Sequence, residues 1–248
     1  MTNKTSNEKL DQLIVQLRDM RLPVMAEQLR KVYLDEQAAR LQPLDLLDLI
    51  ITEEFQTRKQ NTMRRHLKQA KLSDPSAHLS ELDYAPDRQL NPQIIEQLST
   101  NQYIHSYRNV IIQGATGTGK SFVANALANH AISAGYTALY QRMTELLVTL
   151  HLAELENKMP SILKKLVKVD VLIIDDFLLT GTSELEQKHL LELFELRNRS
   201  KSLILCSQMN TAEWHKKLGG GAIADAILDR AISKSYHIFI SGDSKRLD

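Results

Sequence analysis

The sequence predicts an α/β chain, three layers around a mainly parallel sheet, with a small all-α domain in front of it. Three observations carry that expectation. From Asn109 onward, short apolar runs alternate with longer segments of helical period, the order of repeated β-then-α units. Leu10 to about Leu72 reads almost wholly helical. A glycine-rich octapeptide joins the first apolar run to the helix after it.

Leu10, Leu13, Ile14, Leu17 and Met20 recur at helical spacing until Pro23 interrupts them. A second helix is expected from Val24 to about Leu41. A third starts around Pro43, since a first helical turn tolerates proline, and Leu44, Leu47, Ile50, Ile51 and Phe55 carry its apolar stripe into a basic tail. From Ser73 to Asn91 the residues Pro75 and Pro86 stand among Ser, Asp and Asn, with Pro92 just beyond, and helical period breaks. Residues 1–75 therefore read as the helical domain, 76–100 as a linker containing the short apolar segment Ile94 to Leu98, and 101–248 as the α/β domain. Its expected strands are Asn109 to Gln113, Thr137 to Gln141, Val169 to Asp175, Ser202 to Ser207 and Tyr236 to Ser241. Helices are expected over Ser121 to Ser133, up to Val167, over Glu184 to Arg199, and after Ser207.

Composition bounds the function. Apolar residues make up 43% and charged residues 25% of 248, the mix of a globular protein and not of a disordered or fibrous one. Aromatics at 5% do not suggest a stacking-rich single-strand binder. Lys plus Arg (31) nearly equals Asp plus Glu (30), so any nucleic-acid argument rests on local clustering. The single Cys206 has no disulfide partner within the chain and reads as a buried strand residue, which fits a reducing cytoplasm. No apolar run reaches the ~18 residues a membrane span needs, and the amphipathic N-terminus does not resemble a secretion signal.

The octapeptide is GATGTGKS, Gly114 to Ser121, with the spacing G-x-x-x-x-G-K-S between the apolar strand VIIQ and the helix-forming SFVANALANHA. This is the P-loop pattern of a nucleoside-triphosphate site. Gly114, Ala115, Thr116, Gly117, Thr118 and Gly119 supply a tight curl that points backbone N–H groups at anionic oxygens. Lys120 is placed to reach the β- and γ-phosphates, Ser121 Oγ to ligate Mg²⁺, and Phe122 follows in the helix whose N-terminus adds its positive dipole end. The expected cofactors are therefore ATP and Mg²⁺. In VDVLIIDDF the apolar run Val171 to Ile174 delivers Asp175 to a strand end, where its carboxylate can hold the metal, and places Asp176 to orient or deprotonate the attacking water. The strand SLILCS ends in Gln208, which would either sense the γ-phosphate or merely end the strand in solvent. Arg230 in AILDRAI is either a solvated or paired helix residue, or one set against a neighbouring subunit's γ-phosphate.

These segments, with LRDMRLPVMAEQL, RRHLKQAKL, SQMNTAEWH and AIADAILDR, resemble the ATP-binding helper proteins of insertion-sequence transposition, the IstB type. That type lies in the AAA+ branch that also holds helicase loaders of the DnaC type. The similarity runs nearly end to end, and the motifs around Trp214 and Arg230 separate it from generic P-loop proteins. The resemblance implies an AAA+ P-loop NTPase fold with Asp176 as the hydrolytic carboxylate, Gln208 as γ-phosphate sensor and Arg230 as a finger acting in trans. It also implies ATPase activity, self-assembly into homo-oligomers on duplex DNA and engagement of a transposase. Two departures stand out: Leu178 where the type usually has Gly, and the run Gly219 to Gly221 before ADAILDR. The short stretch after Tyr236 to Ser241 leaves no room for a C-terminal lid domain, so Asn101 to Tyr107 is the candidate adenine-contacting segment and Arg246 a candidate late phosphate sensor.

From Phe55 to Ser73 there is no acidic residue, while Arg58, Lys59, Arg64, Arg65, Lys68 and Lys71 accumulate. At ~100° per residue all but Lys59 fall on an arc of roughly 140°, a face that suits a phosphate backbone as well as solvent. Rival readings are a helicase loader gripping single-stranded DNA and a small P-loop kinase; the kinase lacks a visible acceptor pocket and Arg-bearing lid.

Overall fold

The computed structural model describes residues 2–35 and 41–244, and the chain divides between Arg65 and His66 into two compact units. The first unit holds α1 (Thr2–Asp19), α2 (Pro23–Leu34) and most of α3 (Pro43–Ala70). The second helix thus stops at Leu34, short of Leu41; residues 36–40 lie outside the described residues. Ile14, Ala26 and Ile50 are the buried apolar side chains among the described residues of this unit. Glu54 on α3 is buried as well, and its Oε2 accepts the backbone N–H groups of Val24 and Met25 at 2.9 and 3.0 Å. A carboxylate there meets orphan donors and the positive end of α2.

Burial alone would raise the Glu54 carboxyl, but the Arg58 guanidinium at 2.5 Å and the two N–H groups outweigh it and hold it below the ordinary value. A depressed folded value means that the stabilisation is complete above the ordinary carboxylate value and is lost as pH falls from there through the lower folded value. Glu54→Ala is expected to cost about 1–2 kcal/mol of local stability. Amide hydrogen exchange of α2 reads it directly: protection should drop in the variant, and in the wild type should weaken toward acid.

The second unit opens with the last turn of α3, where Ala70 and Leu72 are already buried in its core. After α3 come α4 (Pro92–Ser99), α5 (Gln102–His105), β1 (Val110–Gly114), α6 (Lys120–Ser133), β2 (Ala138–Arg142), α7 (Met143–Leu155) and α8 (Met159–Lys168). They are followed by β3 (Val171–Asp175), α9 (Glu184–Arg197), β4 (Ser202–Ser207), α10 (Thr211–Lys217), α11 (Gly221–Ile232) and β5 (Tyr236–Ile240). All five strands pair in parallel, in the order β2-β3-β4-β1-β5. Alternate strand residues face two cores. Val110, Ile112, Ile173, Ile204 and Cys206 pack with α6 on one side, and Ile111, Leu172, Ile174, Leu203 and Leu205 pack with α7, α8, α9 and α11 on the other. Strands buried on both faces read as continuous apolar runs, which is why they were visible in the sequence.

Residues 76–100 do not form a linker. Ala77, Leu82, Leu90, Ile95 and Leu98 are buried, and all but Ala77 belong to the α6-side core. The prolines break helical period without freeing the chain, because Pro86 starts a short 3₁₀ turn and Pro92 occupies the first turn of α4. No helix among the described residues is long and apolar enough to cross a membrane.

Candidate functional site

Strand β1 is buried except for the half-buried Gln113 and ends in Gly114 at the mouth of the loop. A Cβ on Gly114 would fall 2.1 Å from the Ile240 carbonyl oxygen on β5, so only glycine lets the two strands close here. Gly119, with φ +95°, turns the loop into α6 in a backbone conformation that side chains disfavour. Lys120 is buried, and its Nζ bridges back to the Ala115 carbonyl at 2.7 Å, so the cation lies over the loop's own curl. Thr118 Oγ1 donates to the same carbonyl at 2.9 Å.

Asp175, at the C-terminal end of β3, is 3% exposed, and its position is heavily determined. Ser121 Oγ and the Tyr140 hydroxyl both donate to Oδ2 at 2.6 Å, and the Asp176 N–H donates to Oδ1 at 2.9 Å. Ser121 Oγ beside a carboxylate is a hard-oxygen donor set suited to Mg²⁺. Asp176 takes φ +54° and lines the loop cavity, with the Arg142 guanidinium near enough to attract it. Gln208, one residue past β4, accepts from Thr116 Oγ1 at 2.7 Å and so touches the loop itself.

The cavity around these groups measures about 900 Å³. Its polar side is formed by residues 116–121, Arg142, Asp176 and Gln208, and its apolar side by Leu82, Leu90, Phe122, Val123 and Ile240. Apolar walls with convergent polar groups are the usual anatomy of a ligand site. Asn101 to Tyr107 is not part of it. Ser106 and Tyr107 line a separate cavity with Arg199 and Arg230, because α5 precedes β1 and the loop follows it, which puts them at opposite ends of that strand. Glu81, Leu82, Asp83, Arg88 and Leu90 line the loop cavity instead. Arg246 lies outside the described residues.

Three side chains at or behind this cavity carry no signal in the sequence: Arg88 and Arg142 line it, and Tyr140 supports Asp175. Arg88 is buried and donates to the Thr118 and Asp243 carbonyls, the second at 3.1 Å, clamping the loop to the segment after β5. Tyr140 and Arg142 sit on β2, which pairs with β3 so that Tyr140 faces Ile173 and Arg142 faces Asp175 in register. That pairing joins strands far apart in the chain, and local pattern does not encode it. Trp214 was noted only as a motif residue. It is buried, its Nε1 donates to Ser207 Oγ at 2.9 Å, and it stands edge-on to Phe177 at 4.9 Å, so one indole braces the turns that carry Gln208 and Asp176. Leu178 is fully buried at φ +56°, a conformation that glycine adopts without strain, and packing holds it there.

Arg230, near the end of α11, does not line the loop cavity. Its Nε donates to the Glu195 carboxylate on α9 and its Nη1 to the Ala226 carbonyl at 2.8 Å. On α3 the residues Arg58, Lys59, Arg64, Arg65 and Lys68 are exposed. Two of the six expected basic groups differ from a free helical face. Arg58 is tied to Glu54 and the Arg21 carbonyl, and Lys71 lies past the helix end with φ +50°. The turn at Lys71 lets Leu72 enter the core.

With its strand order and its phosphate loop running from the inner strand β1, between β4 and β5, into α6, the second unit is a P-loop domain of the AAA+ class. Residues 15–248 match the family model described as IstB-like ATP binding protein. The chain is 31% identical over 230 residues to the insertion sequence ATP-binding protein y4pL of Sinorhizobium fredii, covering 93% of this chain and 94% of that one. It is 36% identical over 194 residues to the ATP-binding protein of insertion sequence IS1162 of Pseudomonas fluorescens, covering 78% and 84%. The chain belongs to the IstB-like ATP binding protein family. Among solved structures, AMPPCP-bound DnaA from Aquifex aeolicus aligns with a TM-score of 0.58 at 21% identity, over 69% of this chain and 52% of that one. The DnaC helicase loader aligns with a TM-score of 0.54 at 17% identity, over 66% and 97%. Both likenesses concern the fold.

Proposed function

We propose that this chain is an Mg²⁺-dependent ATPase that assembles on duplex DNA and regulates or recruits a partner transposase, with nucleotide state as the switch. Lys120 and the loop N–H groups hold the phosphates; Ser121 and Asp175 hold Mg²⁺, which when bound offsets the charge of the phosphate oxygens. Asp176 takes the proton of the attacking water as it adds to the γ-phosphorus and ADP leaves, and Gln208 keeps the γ-phosphate in register. Arg230 lies outside its own cavity, which supports its acting on the nucleotide of a second copy.

The observation that carries the DNA part is the exposed, acid-free stretch of α3, whose Lys59, Arg64, Arg65 and Lys68, with Lys71 beyond, have no carboxylate partner among the described residues. Cations of this kind release counterions from duplex DNA, so binding should be largely sequence-independent and steep in salt. Replacing these five by Gln is expected to flatten the log–log salt slope by up to about 4.5, at about 0.9 counterions each. The test is a set of binding isotherms on random duplex at several salt concentrations, with and without a non-hydrolysable ATP analogue. Nucleotide should strengthen binding by assembling several such helices. An unchanged slope moves the contact elsewhere, first to the exposed Lys164, Lys165 and Lys168 of α8. Preference for single strands favours a helicase-loader role instead.

A further inference from the structure

The exit of α3 is wired into the metal-facing pair by hydrogen bonds. Ala70 and Leu72 anchor that exit in the same core as Tyr140. Between the anchors, Lys71 turns the chain with φ +50°, so Ser73 meets the site within three residues of the helix end. The Ser73 side chain stands near the Tyr140 hydroxyl, which donates to Asp175 Oδ2 at 2.6 Å. A second branch runs through Asn125, which is fully buried: its Nδ2 donates to Ser73 Oγ at 2.8 Å and to the Ser121 carbonyl at 2.6 Å. Ser121 Oγ closes the loop on Asp175 Oδ2. One turn earlier, His66 Nδ1 lies 3.1 Å from the Tyr136 carbonyl, just before β2. The end of α3 is therefore also tied to the approach to β2.

We propose that Tyr140 and Ser73 are positioning residues that couple the basic end of α3 to the metal-ligating pair Ser121 and Asp175, so that an anionic backbone bound at Lys68 and Lys71 changes how the site holds Mg²⁺. Asp175 Oδ2 is shared between Tyr140 and Ser121, and Asn125 ties the backbone of Ser121 to Ser73, so the aim of the pair follows the exit of α3. The DNA half of this inference rests on the function proposed above; the positioning half does not.

The experiment is an Mg²⁺ titration of a bound fluorescent ATP analogue, with thermal melting and nucleotide affinity in EDTA as controls. Tyr140→Phe is expected to raise half-saturating Mg²⁺ about tenfold, the usual penalty for losing a group that orients a ligand, with affinity in EDTA unchanged. In the wild type, saturating random duplex should shift half-saturating Mg²⁺ about fivefold or more. Ser73→Ala should abolish that shift while its DNA affinity stays at the wild-type value. Wild-type Mg²⁺ dependence in folded Tyr140→Phe overturns the positioning role. Should that variant melt early, the DNA response of Ser73→Ala decides in its place. A DNA-bound wild type without an Mg²⁺ shift overturns the coupling and leaves the proposed function standing. A wild type that binds no DNA overturns the proposed function and the coupling together, while Tyr140→Phe still decides the positioning role.

Discussion

Lys120→Ala is expected to lower ATP affinity about 100-fold or more. The ammonium is buried over the loop and bonded to the Ala115 carbonyl, so it is held where phosphate oxygens would gather. A charge-assisted hydrogen bond to phosphate contributes about 1.5–3 kcal/mol, and two of them exceed the ~2.7 kcal/mol that a 100-fold change represents. Deletion also leaves the Ala115 carbonyl with one donor fewer, which loosens the curl that Gly119 begins. Titration of a fluorescent ATP analogue measures the loss directly. Asp176→Asn keeps the shape at φ +54° while removing the base, so its affinity should stay within about threefold of the wild type while turnover falls on the order of 10²-fold to 10⁴-fold. Equal loss of binding in the two variants would sink this division of labour.

The second large effect concerns two copies of the chain. Arg230→Ala should lower turnover by about 10³-fold or more if its guanidinium reaches a neighbour's γ-phosphate. Mixed with Asp176→Asn, which is also inactive alone, it should regain measurable phosphate release, because some interfaces then pair an intact carboxylate with an intact Arg230. The hold of Glu195 on Arg230 refines the expectation: Glu195→Gln frees the guanidinium without removing it and should keep wild-type turnover. Absence of recovery at every mixing ratio, with co-assembly confirmed by light scattering, would make Arg230 a strut between α11 and α9. The salt dependence of DNA binding and the α2 protection test concern other surfaces, so their outcomes are independent of this pair.

The amino-acid sequence by itself determined the phosphate loop, the acidic end of β3 and the strand-helix alternation. Those are local: G-x-x-x-x-G-K-S needs neighbours only along the chain, and a strand buried on both faces announces itself as an apolar run such as Val171 to Ile174. Gln208 stood undecided between solvent and the site, and its bond to Thr116 settles only that it touches the loop, since that contact crosses from β4 to β1. Tertiary structure alone decided three things. Part of the apolar wall of the cavity comes from Leu82 and Leu90, in a proline-broken stretch whose burial depends on the α6-side core and not on any period of its own. The Asn101 to Tyr107 segment, close to the loop in sequence, is carried to the other end of β1, because a strand separates what flanks it. Tyr140 meets Asp175 only because β2 pairs in register with β3, and Ser73 meets Asn125 only because α3 ends where its next residues enter the core. Chain-local pattern records backbone conformation and solvent exposure; which strand lies beside which is set by packing between distant segments, and so it appears only in the folded chain.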